Sequence, residues 1–163
     1  MPIKIRHITF DCSDAYALAS WWSEVTGWPQ YEKDQPGDPE CAVVPPEGSG
    51  LPLLLFIGVP DEKIVKNRVH LDIAPTDRTR DDEVRRLVAL GATLVGDHRR
   101  PDGRGWVVLA DPAGNEFCVE TSDVEREALQ AARDSLAQAI PPADDEIMFQ
   151  VAPGGPGFRP PPG

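Results

Sequence analysis

Positive charge is scarce in this chain. Sixteen Lys and Arg stand against 27 Asp and Glu in 163 residues, a formal charge of −11 at pH 7. Capture of a phosphate backbone or an anionic lipid surface needs clustered positive charge, so neither nucleic acid nor membrane is expected as a partner. Long apolar runs are missing as well. The longest, Leu51 to Pro60, is about half of what crosses a bilayer. Met1 to Phe10 contains Lys4, Arg6 and His7 and so lacks the continuous apolar segment of a secretory signal. A cytoplasmic location is the expectation. Only three cysteines occur, Cys12, Cys41 and Cys118, odd in number and with no CxxC pair, which points away from a disulfide framework and a zinc knuckle. No Walker loop, dinucleotide fingerprint, serine nucleophile elbow or HExxH is present, and the common NTPase, dehydrogenase and hydrolase readings fall with them.

The length and the 40% apolar content suit one globular domain or two very small ones. Arg outnumbers Lys by 12 to 4, a bias associated with GC-rich bacterial genomes. Ile3 to Cys12 alternates with a period of two, as a strand does, placing His7, Thr9 and Asp11 on one face. Ser13 or Asp14 can cap a helix carrying Ala15, Leu18, Trp22 and Val25 at three- and four-residue steps, with Gly27 placed to end it. Short apolar pieces at 28–31, 41–44 and 53–57, divided by Pro- and Gly-rich loops, read as three strands. A second cycle starts at Val69-His70-Leu71-Asp72-Ile73, continues through a helix around 81–90 burying Val84, Leu87 and Val88, and stops at Gly91. Strands at 93–95, 106–110 and 116–120 follow, the last two joined by Asp111-Pro112-Ala113-Gly114-Asn115.

The two cycles match. His7, Asp14 and Gly27 correspond to His70, Asp77 and Gly91, with six residues between His and Asp each time. Matching strand-helix-strand-strand-strand units imply duplication, and two half-sheets with one apolar face each are expected to bury those faces together. Coincidence among short motifs is the alternative. Beyond Glu120, Ser122 and Glu125 form a capping box ahead of Val124, Leu129, Leu136 and Ile140, predicting a helix to about Ala139 before Pro141-Pro142 stops it. In Ala152 to Gly163, nine of twelve residues are Pro or Gly, a composition expected to stay disordered.

Several fragments together resemble the vicinal oxygen chelate superfamily of glyoxalases, extradiol dioxygenases, fosfomycin resistance proteins and bleomycin-binding proteins. They are His7-Ile8-Thr9-Phe10 with Asp14, Trp21-Trp22 through Gly27-Trp28, His70-Leu71-Asp72, Leu90-Gly91-Ala92, and above all Asp111-Pro112-Ala113-Gly114-Asn115-Glu116-Phe117. The resemblance covers residues 3 to 120. It implies an α+β fold in which two βαβββ modules, 3–58 and 66–120, form a curved mixed-sheet half-barrel; the helical extension at 121–140 and the tail at 141–163 are read from the residues alone and lie beyond it. It also implies a ligand site inside the curved sheet, and a homodimer. Many enzymes of the family hold a divalent metal (Zn, Ni, Fe or Mn) through the first and last strands of each module. His7 and His70 fall on first-strand positions. The usual carboxylate of the second module's last strand is replaced by Cys118, and Leu53 to Ile57 offers no ligand.

Glu116, Cys118 and Glu120 share one face of an extended strand, so Glu120 is a candidate substitute ligand, displaced by roughly 6 to 7 Å. A metal, where bound, would use His7, His70 and Cys118 or Glu120, and would suit carbonyl polarisation or a bidentate oxygen substrate. The competing reading keeps both imidazoles as hydrogen-bonding groups in a polar cavity that requires no cofactor. Asp11 and Asp72 share the histidines' face, and a carboxylate beside an imidazole makes a general base without metal, so His70 and Asp72 are the catalytic candidates. The other view of both acids is structural: Asp11 ends its strand and Asp72 is a satisfied acceptor. Trp106, at the start of a strand, is the tryptophan expected to touch ligand. Arg99-Arg100 and Lys66-Asn67-Arg68 can hold an anionic group or be solvated turns. The ligand-binding candidates are therefore His7, Thr9, Asp11, His70, Asp72, Trp106, Cys118 and Glu120. Three functions compete: a metal-free small-molecule protein whose acidic cavity takes a polar or cationic metabolite or antibiotic; a metal-dependent lyase, isomerase or dioxygenase using His7 and His70; and an interaction module built on the C-terminal helix. The departures at Cys118 and Leu53–Ile57 favour the first.

Overall fold

Strand β1 (His7–Cys12) alternates as its sequence does. Ile8, Phe10 and Cys12 turn to the core, while His7, Thr9 and Asp11 face solvent. In the computed structural model, which describes residues 3–139, the next element is helix α1 (Ala15–Thr26). Asp14 is its N-cap, accepting from the Ala17 amide at 2.9 Å, which satisfies one of the first-turn donors that a helix leaves unpaired. Gly27, at φ 68°, closes it by donating its backbone N–H to the Ser23 carbonyl at 2.9 Å, a left-handed geometry that costs glycine nothing. Strands β2 (Glu40–Val43) and β3 (Leu53–Gly58) complete the first sheet, in the order β1-β3-β2 with β1 and β3 parallel. The strand expected at 28–31 is reduced to a single bridge between Gln30 and Val43. Pro29 has no amide to donate, and only its carbonyl takes part, accepting from Val44 at 2.9 Å.

The second sheet has the order β4-β7-β6-β5, from β4 (Asp72–Ile73), β5 (Thr93–Asp97), β6 (Val107–Ala110) and β7 (Glu116–Val119). Here too the first strand runs parallel to the last, Asp72 lying opposite Cys118. Between β4 and β5 lies α2 (Arg80–Ala89). Its cap is Thr79, whose Oγ1 accepts from the Asp82 amide at 3.1 Å. Asp77, the residue that matches Asp14 by spacing, bonds Arg78 at 2.8 Å instead. Leu87 is fully buried as expected, Val84 is half-buried and Val88 is exposed, because the helix rests on the sheet along a narrower stripe than the sequence suggested.

The two sheets share a core. Trp22, fully buried, packs edge-on to Phe117 of β7 with ring centroids 5.3 Å apart, and Phe10 lies 5.5 Å from the same indole. The Trp22 indole N–H donates to the buried carboxylate of Asp111 at 3.1 Å. That carboxylate also accepts from the amides of Ala113 (3.0 Å) and Asn115 (2.9 Å), so one side chain holds the turn before β7 and ties it to α1. Burial pushes the Asp111 carboxyl above its usual range, against the opposing pull of the Trp22 and Asn115 bonds. Arg86 of α2 reaches the Glu24 and Val25 carbonyls at 3.4 Å, satisfying acceptors that the end of α1 leaves open.

Helix α3 (Asp123–Ala139) begins at the expected capping box. Ser122 Oγ accepts from the Glu125 amide at 3.2 Å, and Glu125 accepts from the Ser122 amide at 2.9 Å. Of its apolar stripe, Leu129 is half-buried, while Val124 and Leu136 remain 72% and 64% exposed. Ile140 and the Pro/Gly-rich tail at 141–163 lie outside the described residues.

Candidate functional site

The strand period places one polar group on the open face of the second sheet. Val107, Leu109, Phe117 and Val119 turn inward to the core, so Val108 and Cys118, paired across β6 and β7, turn the other way together with Asp72 on β4. His70 stands two residues before Asp72. Its Nδ1 lies 3.0 Å from Asp72 Oδ1 and 3.7 Å from Cys118 Sγ. The His70 and Asp72 side chains are 37% and 50% exposed, and Cys118 is buried. Burial, with the nearby Asp72 carboxylate, pushes the Cys118 thiol up to about 11, so it is a neutral thiol at pH 7.

The other expected residues are distributed differently. His7, Thr9 and Asp11 occupy the exposed face of the first sheet, opposite Leu53, Leu55 and Ile57. Asp11 lines a cleft of about 350 Å³ with Lys63, Lys66 and Asn115. His7 does not join the group at His70: among the described residues, the one set of three donors within 4.8 Å of one another is His70, Asp72 and Cys118. Glu116 is taken up by the connection between the sheets. Burial raises its carboxyl, but the Asn67 amide and the Lys63 ammonium, both at 2.9 Å, outweigh it and hold the group at about 2. Glu120 faces Arg126 at 3.5 Å. Trp106 is 39% exposed, and its ring lies against that of His98, centroids 5.1 Å apart.

An imidazole, a carboxylate and a thiol are donors that zinc and iron accept, and their spacing fits a single divalent cation. They would supply three ligands and leave further positions open. Sequence reasoning passed over His98, which carries no spacing signature, and Arg126 and Arg133. The last two are separated by seven residues and so share one face of α3, a signal that could have found them.

A model of a glyoxalase-like domain matches residues 7–120. No curated protein sequence matches the chain. Among solved structures, a glyoxalase/bleomycin resistance protein/dioxygenase family enzyme from Burkholderia phytofirmans PsJN is 17% identical, with TM-score 0.55 over 72% of this chain and 97% of that one. Lactoylglutathione lyase from Agrobacterium tumefaciens is 21% identical, with TM-score 0.50 over 75% and 95%. A fosfomycin resistance protein from Listeria monocytogenes, complexed with Mn(II) and 1S,2S-dihydroxypropylphosphonic acid, is 16% identical, with TM-score 0.58 over 80% and 99%. These likenesses concern the fold. With the family match spanning all of β1 to β7, the chain belongs to the glyoxalase-like domain family, within the glyoxalase/bleomycin resistance/dioxygenase, or vicinal oxygen chelate, superfamily.

Proposed function

We propose that the chain binds a small polar or cationic molecule on the open face of its second sheet, with His70 and Asp72 as the polar contacts and without the family's full set of metal ligands. The observation that carries this reading is the 3.0 Å contact between His70 Nδ1 and Asp72 Oδ1 on a solvent-open face. A carboxylate at Nδ1 fixes the ring and favours the tautomer whose Nε2 is free to accept a proton or a hydrogen bond from a ligand. The net charge of −11 favours the approach of a cation. On the first sheet, Leu53, Leu55 and Ile57 stand where further ligands would be needed. The same reading places the protein in the cytoplasm as a homodimer, with the exposed Leu94 and Val95 of edge strand β5 as a pairing surface.

A second reading has its own observation, the three donors within 4.8 Å. In it His70, Asp72 and Cys118 would hold a divalent metal, which when bound supplies a Lewis acid for a carbonyl or a bidentate oxygen substrate. This chain's part is to present the three donors together on one face of the sheet and to give up the Cys118 proton.

One experiment separates the two. Protein purified without chelator is analysed for metal and then screened by thermal shift against small amines, polyamines and quaternary ammonium compounds, as wild type and His70→Ala. Binding to the native state raises the midpoint by mass action. A metal-free protein stabilised by one of these compounds, with the shift lost in His70→Ala, is the expected result. Stoichiometric metal lost in both His70→Ala and Cys118→Ser transfers the site to the second reading.

A further inference from the structure

Four of the chain's twelve arginines line one cleft of about 330 Å³, between α3 and the β5–β6 hairpin, accompanied by a single carboxylate, Glu120. A concentration of positive charge in a chain of net charge −11 opposes the field of the rest of the molecule. The arginines differ in occupation. Arg104 bonds Asp102 at 2.7 Å, and Arg126 has Glu120 at 3.5 Å. Arg100 and Arg133 have no carboxylate within 4 Å among the described residues.

The walls of this cleft are built rather than incidental. Arg80, 5% exposed, donates from one guanidinium nitrogen to the carbonyls of Gly103 (3.1 Å) and Gly105 (2.9 Å), fixing the hairpin. Its amide donates to Glu125 at 2.8 Å, which fastens the first turn of α3 to α2. Gly105 has φ 99°, and a Cβ there would sit 2.1 Å from the His98 carbonyl oxygen, so only glycine lets the hairpin close. Leu129 fills the space over Gly103. Trp106, backed by the His98 ring, also lines the cleft.

We infer that this cleft binds a small anionic molecule, its carboxylate or phosphate taken by Arg100, Arg126 and Arg133 and its flat body laid against Trp106. Guanidinium forks pair with such groups through two parallel hydrogen bonds, and an indole supplies a broad apolar surface beside them. A volume of this size is at the lower end of what small-ligand sites show. The inference is independent of the His70 reading, because the arginines and Trp106 are not members of that group.

The test is an NMR titration at low ionic strength that follows the Trp106 indole signal. Three probes are used: benzoate, inorganic phosphate and benzyltrimethylammonium. Saturable binding of benzoate is expected, with benzyltrimethylammonium at least about tenfold weaker, a 1.4 kcal/mol difference. Arg100→Gln with Arg133→Gln should weaken benzoate by about tenfold or more. His70→Ala should leave benzoate binding unchanged, so failure here and failure at the His70 site are told apart. Phosphate binding without benzoate binding overturns the role given to Trp106. No saturable binding of either anion, or a correctly folded double variant that binds as wild type does, overturns the site.

Discussion

His7 and His70 stand at matching places in two similarly wired sheets, each near the start of a strand that runs parallel to the last strand of its sheet, yet their surroundings differ. His7 lies opposite Leu53, with Leu55 and Ile57 beyond it. His70 meets Asp72 and Cys118. The strand next door, more than the histidine, decides what chemistry the position can support, because a lone exposed imidazole has nothing to orient it or to share a ligand with it. One sheet has kept an apolar neighbour and the other a polar one, so the face of the second sheet carries the candidate site.

The strongest way to break this comparison is to separate the sheets. Trp22→Ala removes the indole that packs on Phe117 and bonds Asp111, and should cost about 3 to 5 kcal/mol in urea unfolding. A loss under about 1 kcal/mol would show that the sheets do not depend on a common core. Next in size is the contrast between the histidines themselves. In a titration with the stabilising amine, His70→Ala should weaken apparent affinity by at least about tenfold, and His7→Ala should not change it. Equal losses would mean that both imidazoles serve one ligand.

A smaller effect distinguishes the sheets by pH. Glu116 is held at about 2 against an ordinary 4.5, and the first sheet has Leu53 on its corresponding last strand. A carboxyl depressed by folding contributes stability that is fully present above about 4.5 and is lost as pH falls toward 2. Glu116→Gln should therefore lower stability at neutral pH and flatten the acid limb of a midpoint-against-pH curve. An unchanged limb would remove the Lys63 and Asn67 contacts from the account. Smallest of all, His7→Gln should alter stability by no more than about 0.5 kcal/mol, since the residue is exposed and its side chain has no hydrogen-bond partner among the described residues.

Local signals carried far in this chain. Asp14 and Gly27 bracket α1 where the sequence placed them, and Ser122 with Glu125 opens α3, because caps are decided within a few residues. The period of two assigned His7, Thr9 and Asp11 to one face and Glu116, Cys118 and Glu120 to another. The same reasoning missed the loss of a strand at 28–31, where Pro29 has no amide to give to a ladder, and it named no cap for α2, which Thr79 supplies. For the site, the sequence named the members of the His70 group without showing that they meet.

The sequence by itself determined the fold family, since the order and spacing of its strand, helix and turn signals are local properties that the chain carries whether folded or not. Only the tertiary structure decided which histidine acquires partners and where the arginines gather. Those outcomes depend on strands and helices distant in sequence coming into contact, Asp72 with Cys118 and α3 with the β5–β6 hairpin, and no local pattern sets the distance between them.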